Sequence, residues 1–185
     1  MTKAQLTVLA GPTAVGKGTV VAALTKRFPT LNVSVSATTR DPRPGELNGV
    51  HYYFVSAQEF DAMIERGDML EWALVHGKNK YGTPRGPVDD ALEAGKPVLL
   101  EIDLAGARQV RSTRPDAQFI FLAPPSWEEL ERRLIGRGTE SPEEQARRLA
   151  TARVELEAAS EFDHVVINDD VERAVDELAR LIGLE

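Results

Sequence analysis

A short glycine-rich segment near the start of the chain constrains the fold more than any other feature of the sequence. The segment GPTAVGKGT, residues 11–19, follows the apolar run QLTVLA, which is typical of a buried strand. Helical spacing of apolar residues runs from residue 19 to residue 28, and Pro29 ends it. Such a strand, loop and helix direct backbone N–H groups at a phosphate, and Lys17 adds a positive charge. The segment predicts a phosphate-binding loop, with a purely structural turn as the alternative.

The loop departs in one position from the general pattern G-x-x-x-x-G-K-[ST]. Gly18 follows Lys17, so the hydroxyl group falls on Thr19 instead. The pattern therefore does not predict that Thr19 contacts Mg²⁺ directly.

Composition excludes several classes of protein. The chain has 185 residues, of which 42% are hydrophobic, and this fits one compact domain. The net charge of -7 argues against broad binding of nucleic acids, and the absence of cysteine excludes disulfides, thiolate zinc sites and cysteine nucleophiles. No segment has the apolar length of a signal peptide or a membrane span. We therefore expect a cytoplasmic protein without a membrane or nucleic-acid partner.

Predicted strands and helices alternate along the chain, which indicates a mostly parallel sheet with helices on both faces. Three segments that follow the first helix are predicted as strands, namely NVSVSATT (residues 32–39), VHYYFV (50–55) and DMLEWALVHG (68–77). KNKYGTPRGP (78–87) is predicted as a loop because it contains glycine and proline. This strand-rich stretch is expected to form a subsidiary lobe.

Two arginines in that stretch are candidates for a second phosphate site. Arg40 and Arg43 flank a proline turn, so their guanidinium groups can converge on one phosphate, with Tyr52 as a further donor. An exposed polar loop is the alternative.

Glu71 is a candidate for reading a guanine base. One carboxylate can accept hydrogen bonds from both N1–H and N2–H₂ of guanine, and a hydroxyl of Thr83 or Ser36 can donate to O6. Taken alone, Glu71 would be a surface acid.

Acidic and basic residues later in the chain suggest phosphoryl-transfer chemistry. Glu101 and Asp103 follow a buried strand, where they can orient Mg²⁺ through its waters or hold a ribose hydroxyl; a helix N-cap is the alternative for Asp103. Arginines cluster around the turn GRG, and arginines that close over a moving phosphoryl group stabilise its charge. The alternative is an exposed helix pair with salt bridges such as Glu128–Arg132 and Glu144–Arg148.

Taken together, these segments resemble guanylate kinase, the nucleoside monophosphate kinase that moves the γ-phosphate of ATP to GMP. The resemblance runs from GPTAVGKGTV through SATTRDPRPGELNGVHYYF, LEWA, YGTPR, LLEID and GRGTES to VVINDD. It implies one α/β domain with a P-loop NTPase-type parallel sheet core flanked by helices, a small strand-rich GMP-binding lobe and a helical lid. The implied ranges are 1–31, 84–125 and 160–185 for the core, about 32–83 for the lobe and about 126–159 for the lid.

The resemblance also implies the site residues. The ATP site would comprise Gly11, Pro12, Thr13, Ala14, Val15, Gly16, Lys17, Gly18, Thr19 and, beside the adenine, Asn168. The GMP site would comprise Ser36, Arg40, Arg43, Glu46, Tyr52, Glu71, Tyr81, Thr83 and Glu101. The catalytic cations would be Lys17, Arg133, Arg137 and Arg148. Asp103 would be associated with Mg²⁺ through water.

One departure from the family concerns the loop. The family more often reads G-P-S-G-V-G-K, whereas Thr13 and Ala14 stand here in place of the serine and glycine. A left-handed alanine costs roughly 1 kcal/mol or more, so we expect right-handed backbone at Ala14.

Two other functions stay open from the sequence. Related domains of membrane-associated scaffold proteins bind phosphopeptides at the old GMP site, but they typically have damaged nucleotide loops, whereas Lys17 is present here. A kinase of another phosphate ester, such as a ribose phosphate, is the second alternative. Glu71 and Thr83 argue against it, since a sugar phosphate has no base to read.

Overall fold

The structure, a computed structural model, describes residues 3–136 and 138–185. The strands are β1 (Leu6–Ala10), β2 (Asn32–Val33), β3 (Ala37–Thr38), β4 (Tyr53–Phe54), β5 (Met69–Val75), β6 (Asn79–Pro84), β7 (Val98–Glu101), β8 (Gln118–Ala123) and β9 (His164–Ile167). The helices are α1 (Lys17–Arg27), α2 (Ala57–Glu65), α3 (Arg85–Glu93), α4 (Leu104–Thr113), α5 (Trp127–Ile135), α6 (Pro142–Glu157) and α7 (Val171–Ile182). A 3₁₀-helix at Ala158–Glu161 follows α6. Among the described residues, no helix is both long and apolar enough to cross a bilayer.

The larger sheet has the strand order β2-β7-β1-β8-β9, and all of its neighbouring strands are parallel. Leu9 in β1 pairs with Glu101 in β7 and with Ile120 in β8. Because the strands are parallel, their carboxyl ends meet at one edge of the sheet, where ligands of such folds bind. The predicted α/β class with a parallel core sheet is confirmed.

Helices cover both faces of this sheet, as the continuous apolar runs of the strands require. Leu9, Leu122 and Val166 face a cluster with α1 and α7. Val8 and Phe119 face the other way, into a cluster with α3 and α4. The core therefore has two layers, one on each side of the sheet.

The smaller sheet has the order β4-β3-β6-β5 and contains the antiparallel hairpin of β5 and β6. The prediction of a loop over residues 78–87 is wrong, because residues 79–84 form β6. The glycine of this segment, Gly82, does not form a turn but allows β6 to pack closely against β5. A Cβ on Gly82 would lie 2.7 Å from the carbonyl oxygen of Glu71 and 2.9 Å from Cβ of Trp72.

The two predicted strands before this hairpin need correction. Residues 32–39 do not form one strand, since β2 pairs with β7 in the larger sheet and β3 pairs with β4 and β6 in the smaller one. The strand predicted over residues 50–55 is shorter, at Tyr53–Phe54. The chain thus leaves the larger sheet after Val33; the division into core, lobe and lid stays a prediction.

We expect Leu122→Ala to lower the free energy of unfolding by about 2–5 kcal/mol, because it opens a cavity in the larger core. Leu122 is 0% exposed, whereas Leu74 in β5 is 54% exposed and supplies the matched control, Leu74→Ala. Urea denaturation measures both variants, and the control should change by less than about 0.5 kcal/mol. Equal losses would contradict the assigned core.

Candidate active site

The loops that follow β1, β7 and β9 meet at the carboxyl edge of the larger sheet. β1 leads into the glycine loop, β7 into Glu101 and Asp103, and β9 into Asn168. The parallel registers place these three loops along the same edge, with the end of β8 between those that follow β1 and β9. Sequence-predicted residues from distant parts of the chain are thereby collected at one edge.

The glycine loop is held close to the sheet. A Cβ on Gly11 would lie 2.4 Å from the carbonyl oxygen of Leu122, so no larger residue fits where the loop leaves β1 beside β8. Gly16 is the N-cap of α1 with a left-handed φ of 98°, which glycine adopts without strain. Nζ of Lys17 donates to the carbonyl oxygen of Gly11 at 2.8 Å. The Lys17 side chain therefore folds back over the loop, and the loop leads directly into the N-terminus of α1, as a phosphate-binding loop does.

The expectation of right-handed backbone at Ala14 is wrong, since its φ is 68°. The turn from Pro12 to Val15 is closed by the Val15 N–H, which donates to the carbonyl oxygen of Pro12 at 3.3 Å. Ala14 is the third residue of this turn, where a type II turn requires positive φ. The hydrogen-bonded turn therefore imposes a left-handed backbone on Ala14, although this conformation costs an alanine roughly 1 kcal/mol.

Acidic residues surround Lys17. Burial lowers the pKa of Lys17, and the negative charges of Glu155, Glu101 and Asp103 oppose this effect. Burial raises the pKa of Glu155, while the nearby positive charge of Lys17 lowers it. Glu155 is not among the site residues predicted from the sequence. A pattern that could have indicated Glu155 is its position on α6, seven residues after Arg148. This spacing is two helical turns, so the two side chains share one face of the helix.

Asp103 is the N-cap of α4, because its Oδ1 accepts a hydrogen bond from the Gly106 N–H at 2.7 Å. The N-cap role is therefore observed, and the role of Asp103 toward Mg²⁺ stays a prediction. Within residues 3–136 and 138–185, no cluster of three or more His, Asp or Glu side chains could hold a metal ion by itself. A Mg²⁺ ion usually needs only one or two carboxylates together with substrate phosphates and water, and Glu101 and Asp103 beside Lys17 fit that lesser requirement.

Three predicted base-reading residues form a row across the smaller sheet. Glu71 pairs directly with Thr83, and the pairing of Ala37 with Gly82 brings Ser36 beside Thr83. Directly opposed residues of neighbouring strands share a face of the sheet. The row of Ser36, Thr83 and Glu71 therefore lies on one face, opposite to the α2 side, where Ala37, Phe60 and Met69 are buried.

Glu71 is the buried end of that row. It is 9% exposed, and the hydroxyl of Thr83 donates to its Oε1 at 2.7 Å. Burial raises the pKa of Glu71; the Thr83 hydrogen bond lowers it, and the charge of Asp103 raises it further. On the other side, a Cβ on Gly106 would lie 3.1 Å from Oε2. The Thr83 hydroxyl is thus used on Glu71, which leaves Ser36 as the hydroxyl of this row best placed to serve a base.

Arg40, Glu46 and two tyrosines form a second group beside the row. Nη1 and Nη2 of Arg40 donate to Oε1 and Oε2 of Glu46 at 2.9 and 3.0 Å. These bonds and one from the Arg43 N–H lower the pKa of Glu46 to about 2. The Arg40 guanidinium lies 5.3 Å from the ring of Tyr52, and that ring lies 6.0 Å from the ring of Tyr81. Glu46 holds Arg40 in place, while the structure shows no hydrogen bond from the Arg43 side chain to another described residue.

The predicted lid arginines are distributed between α5 and α6. Nη1 of Arg133 donates to the carbonyl oxygen of Val15 at 3.2 Å, so this arginine already contacts the glycine loop. Arg148 pairs with Glu140 at 2.6 Å, and not with Glu144 as the simple helical spacing suggested. Both arginines line one cavity of about 160 Å³. Arg137 lies outside the described residues.

Asn168 contacts the glycine loop. It is 5% exposed, and its Nδ2 donates to the carbonyl oxygen of Val15 at 2.8 Å. Its predicted place beside an adenine stays a prediction.

Comparisons with known proteins show the family of the chain. The family model described as guanylate kinase matches residues 3–185. A guanylate kinase of Rhodococcus jostii is 60% identical over 181 residues, which cover 97% of this chain and 87% of the relative. A guanylate kinase of Thermobifida fusca is 61% identical over 179 residues, with 97% and 91% covered.

Solved structures show the same fold. The guanylate kinase of Anaplasma phagocytophilum superposes with a TM-score of 0.75 at 32% identity, over 99% of this chain and 86% of that one. A shikimate kinase of Bacteroides thetaiotaomicron, at 14% identity and a TM-score of 0.51 over 97% and 98% of the two chains, shares the fold alone. On its family match and on relatives of about 60% identity, the chain belongs to the guanylate kinase family, whose members phosphorylate GMP with ATP.

Proposed function

We propose that this chain transfers the γ-phosphate of ATP to GMP or dGMP with the residues described above, giving ADP and GDP or dGDP. One observation carries the assignment of the two sites. Asp103 lies near enough to both the glycine loop with Lys17 and the sheet face with Glu71 for its charge to raise the pKa of each side chain. Donor and acceptor sites that share one carboxylate between them can bring two nucleotides together.

Guanine recognition rests on Glu71. Its buried carboxylate can accept both N1–H and N2–H₂ of guanine, and Ser36 can donate to O6. Adenine offers no such pair of donors and would leave a buried carboxylate without compensation, which costs free energy of binding. The same argument excludes a ribose phosphate as the preferred acceptor.

The acceptor phosphate would lie at Arg40, Arg43, Tyr52 and Tyr81. Guanidinium groups suit bidentate binding of phosphate oxygens, and Glu46 preorganises Arg40 through its two hydrogen bonds. Arg43 is exposed and would close onto the phosphate from the loop. Glu101 completes the proposed GMP site at the end of β7.

The donor phosphates would lie on the N–H groups of residues 11–19 and on Lys17. A GMP phosphate oxygen attacks the γ-phosphorus in line, the bond from that phosphorus to the β,γ-bridging oxygen breaks, and ADP leaves with the electron pair. Lys17, Arg133, Arg137 and Arg148 would offset the charge that spreads over the transferred group. Closure of the α5–α6 region would exclude water, which protects ATP from hydrolysis.

Asp103 is the residue we propose to hold Mg²⁺ through its waters, while Glu101 serves the GMP site. When bound, the ion offsets phosphate charge and orients the phosphate chain. We assign the reaction to the cytoplasm, without a nucleic-acid or membrane partner, because its substrates are free nucleotides and the chain carries a net charge of -7.

A phosphopeptide-binding module is the remaining alternative. The intact loop supports the enzyme, since a binding module has no use for Lys17.

A coupled assay with ATP and Mg²⁺ tests the substrate. GMP and dGMP should turn over, whereas AMP, UMP and ribose 5-phosphate should react at least about a hundredfold more slowly, because they lack the donor pair that Glu71 reads. No turnover of GMP would contradict the proposed reaction. Equal turnover of AMP would contradict the role of Glu71.

Lys17→Ala should lower kcat by about two to three orders of magnitude, because the positive charge beside the transferred phosphate is lost. The affinity for GMP, measured by calorimetry, should stay within about twofold. Lys26→Ala, at an exposed position near the end of α1, is the control of equal charge change and should retain activity. Loss of GMP binding in Lys17→Ala would show that the ATP site and the GMP site are assigned to the wrong residues.

Binding of the base should weaken in acid. Burial raises the pKa of Glu71, so the carboxylate becomes protonated at a higher pH than an exposed glutamate and then accepts fewer hydrogen bonds. The affinity for guanosine, which lacks a titrating phosphate, should therefore fall as the pH is lowered through that raised pKa. Glu71→Gln should bind more weakly at neutral pH and show no such pH dependence; a retained dependence would assign it to another group.

A further inference from the structure

We propose that Asn168 positions the peptide between Val15 and Gly16, so that the Gly16 N–H is aimed at the phosphate chain of the donor. Its role would be to shape the loop, and not to read the adenine. This inference rests on the proposed function, in which the loop binds the triphosphate of ATP.

The contact itself is short and buried. Nδ2 of Asn168 donates to the carbonyl oxygen of Val15 at 2.8 Å, and Asn168 is 5% exposed. Nη1 of Arg133 donates to the same oxygen at 3.2 Å. The Val15 carbonyl group is therefore held from the side of β9 and α5.

The orientation of one carbonyl decides the orientation of the next N–H. A peptide bond is planar and its C=O and N–H point in opposite directions when it is trans. Because the Val15 oxygen is turned toward Asn168, the Gly16 N–H is turned away from it. The amide next to Lys17 is thereby offered to a ligand.

Gly16 makes this approach possible. Its φ is 98°, and a Cβ at this position would lie 2.7 Å from Nδ2 of Asn168. A residue with a side chain would be strained and would displace the asparagine. A glycine in this conformation can also change its backbone torsions easily, so an external hydrogen bond is needed to keep one orientation.

Asn168 is itself held firmly. It follows β9, and its N–H donates to the carbonyl oxygen of Ala123 at 2.8 Å, which extends the pairing of β8 with β9. Val15, whose carbonyl it binds, is fully buried in the core with Val166. The end of β9 therefore acts as a rigid support for the loop.

Inorganic tripolyphosphate is the probe that separates the two roles, because it has the donor's phosphate chain but no adenine. Asn168→Ala and the nearly isosteric Asn168→Leu are compared with Asn32→Ala, a control at an exposed asparagine. Dissociation constants for ATP and tripolyphosphate are measured by calorimetry without Mg²⁺, so that no phosphate is transferred, and with GMP at saturation, so that the acceptor arginines are occupied. GMP binding is measured separately and reports whether each variant is folded.

Both Asn168 variants should bind ATP and tripolyphosphate about tenfold more weakly, the loss expected for one buried hydrogen bond, while the GMP constant stays within about twofold. The Asn32 variant should match the unmodified protein. Weakened ATP binding with unchanged tripolyphosphate binding would assign Asn168 to the adenine and overturn the inference. Unchanged binding of both ligands, or an equal loss for GMP, would also overturn it.

The same experiment separates this inference from the proposed function. If the unmodified protein binds neither ATP nor tripolyphosphate, the proposed function is wrong. If the unmodified protein binds both and the variants behave differently from the expectation, only the role of Asn168 is wrong.

Discussion

The parallel pairing of β1 between β7 and β8 is the constraint on which the rest of the site depends. Leu9 is paired with Glu101 on one side and with Ile120 on the other, so the glycine loop, the acidic end of β7 and the end of β8 leave the sheet at one edge. The strands come so close at Gly11 that a Cβ would lie 2.4 Å from the carbonyl oxygen of Leu122. The loop therefore begins directly at the buried sheet, and the close packing of that sheet holds the start of the loop in one position.

Burial of opposite charges on the two sides of Asp103 explains how the site is prepared for two nucleotides. Burial lowers the pKa of Lys17 and raises the pKa of Glu71, so each side chain is poorly compensated in its charged form. The charge of Asp103 favours the charged form of Lys17 and opposes that of Glu71. A phosphate at Lys17 and N–H donors at Glu71 would supply the missing compensation, which makes ligand binding and charge stabilisation the same event.

The parts of the fold that the sequence could predict are those governed by local rules. Ser56 and Ser126 each stand one position before a helix in the local pattern S-x-x-E, and they accept hydrogen bonds from Glu59 N–H and Glu129 N–H. Local rules failed where a segment pairs with strands that are distant in the sequence. The segment of β6 was predicted as a loop because it contains glycine and proline. The single strand predicted over residues 32–39 is divided between two sheets, because β2 pairs with β7 and β3 pairs with β6.

By itself, the sequence determined the phosphate-binding loop, the βα alternation and the residue types able to recognise guanine and phosphate, because short motifs encode local backbone geometry and side-chain chemistry. Only the tertiary structure decided which of those groups meet. It aligned Ser36, Thr83 and Glu71 through strand register, turned Ala14 left-handed through the turn from Pro12 to Val15, and brought Asn168 to Val15 across 153 positions of the chain. Such contacts depend on packing between distant segments, and no local pattern records them.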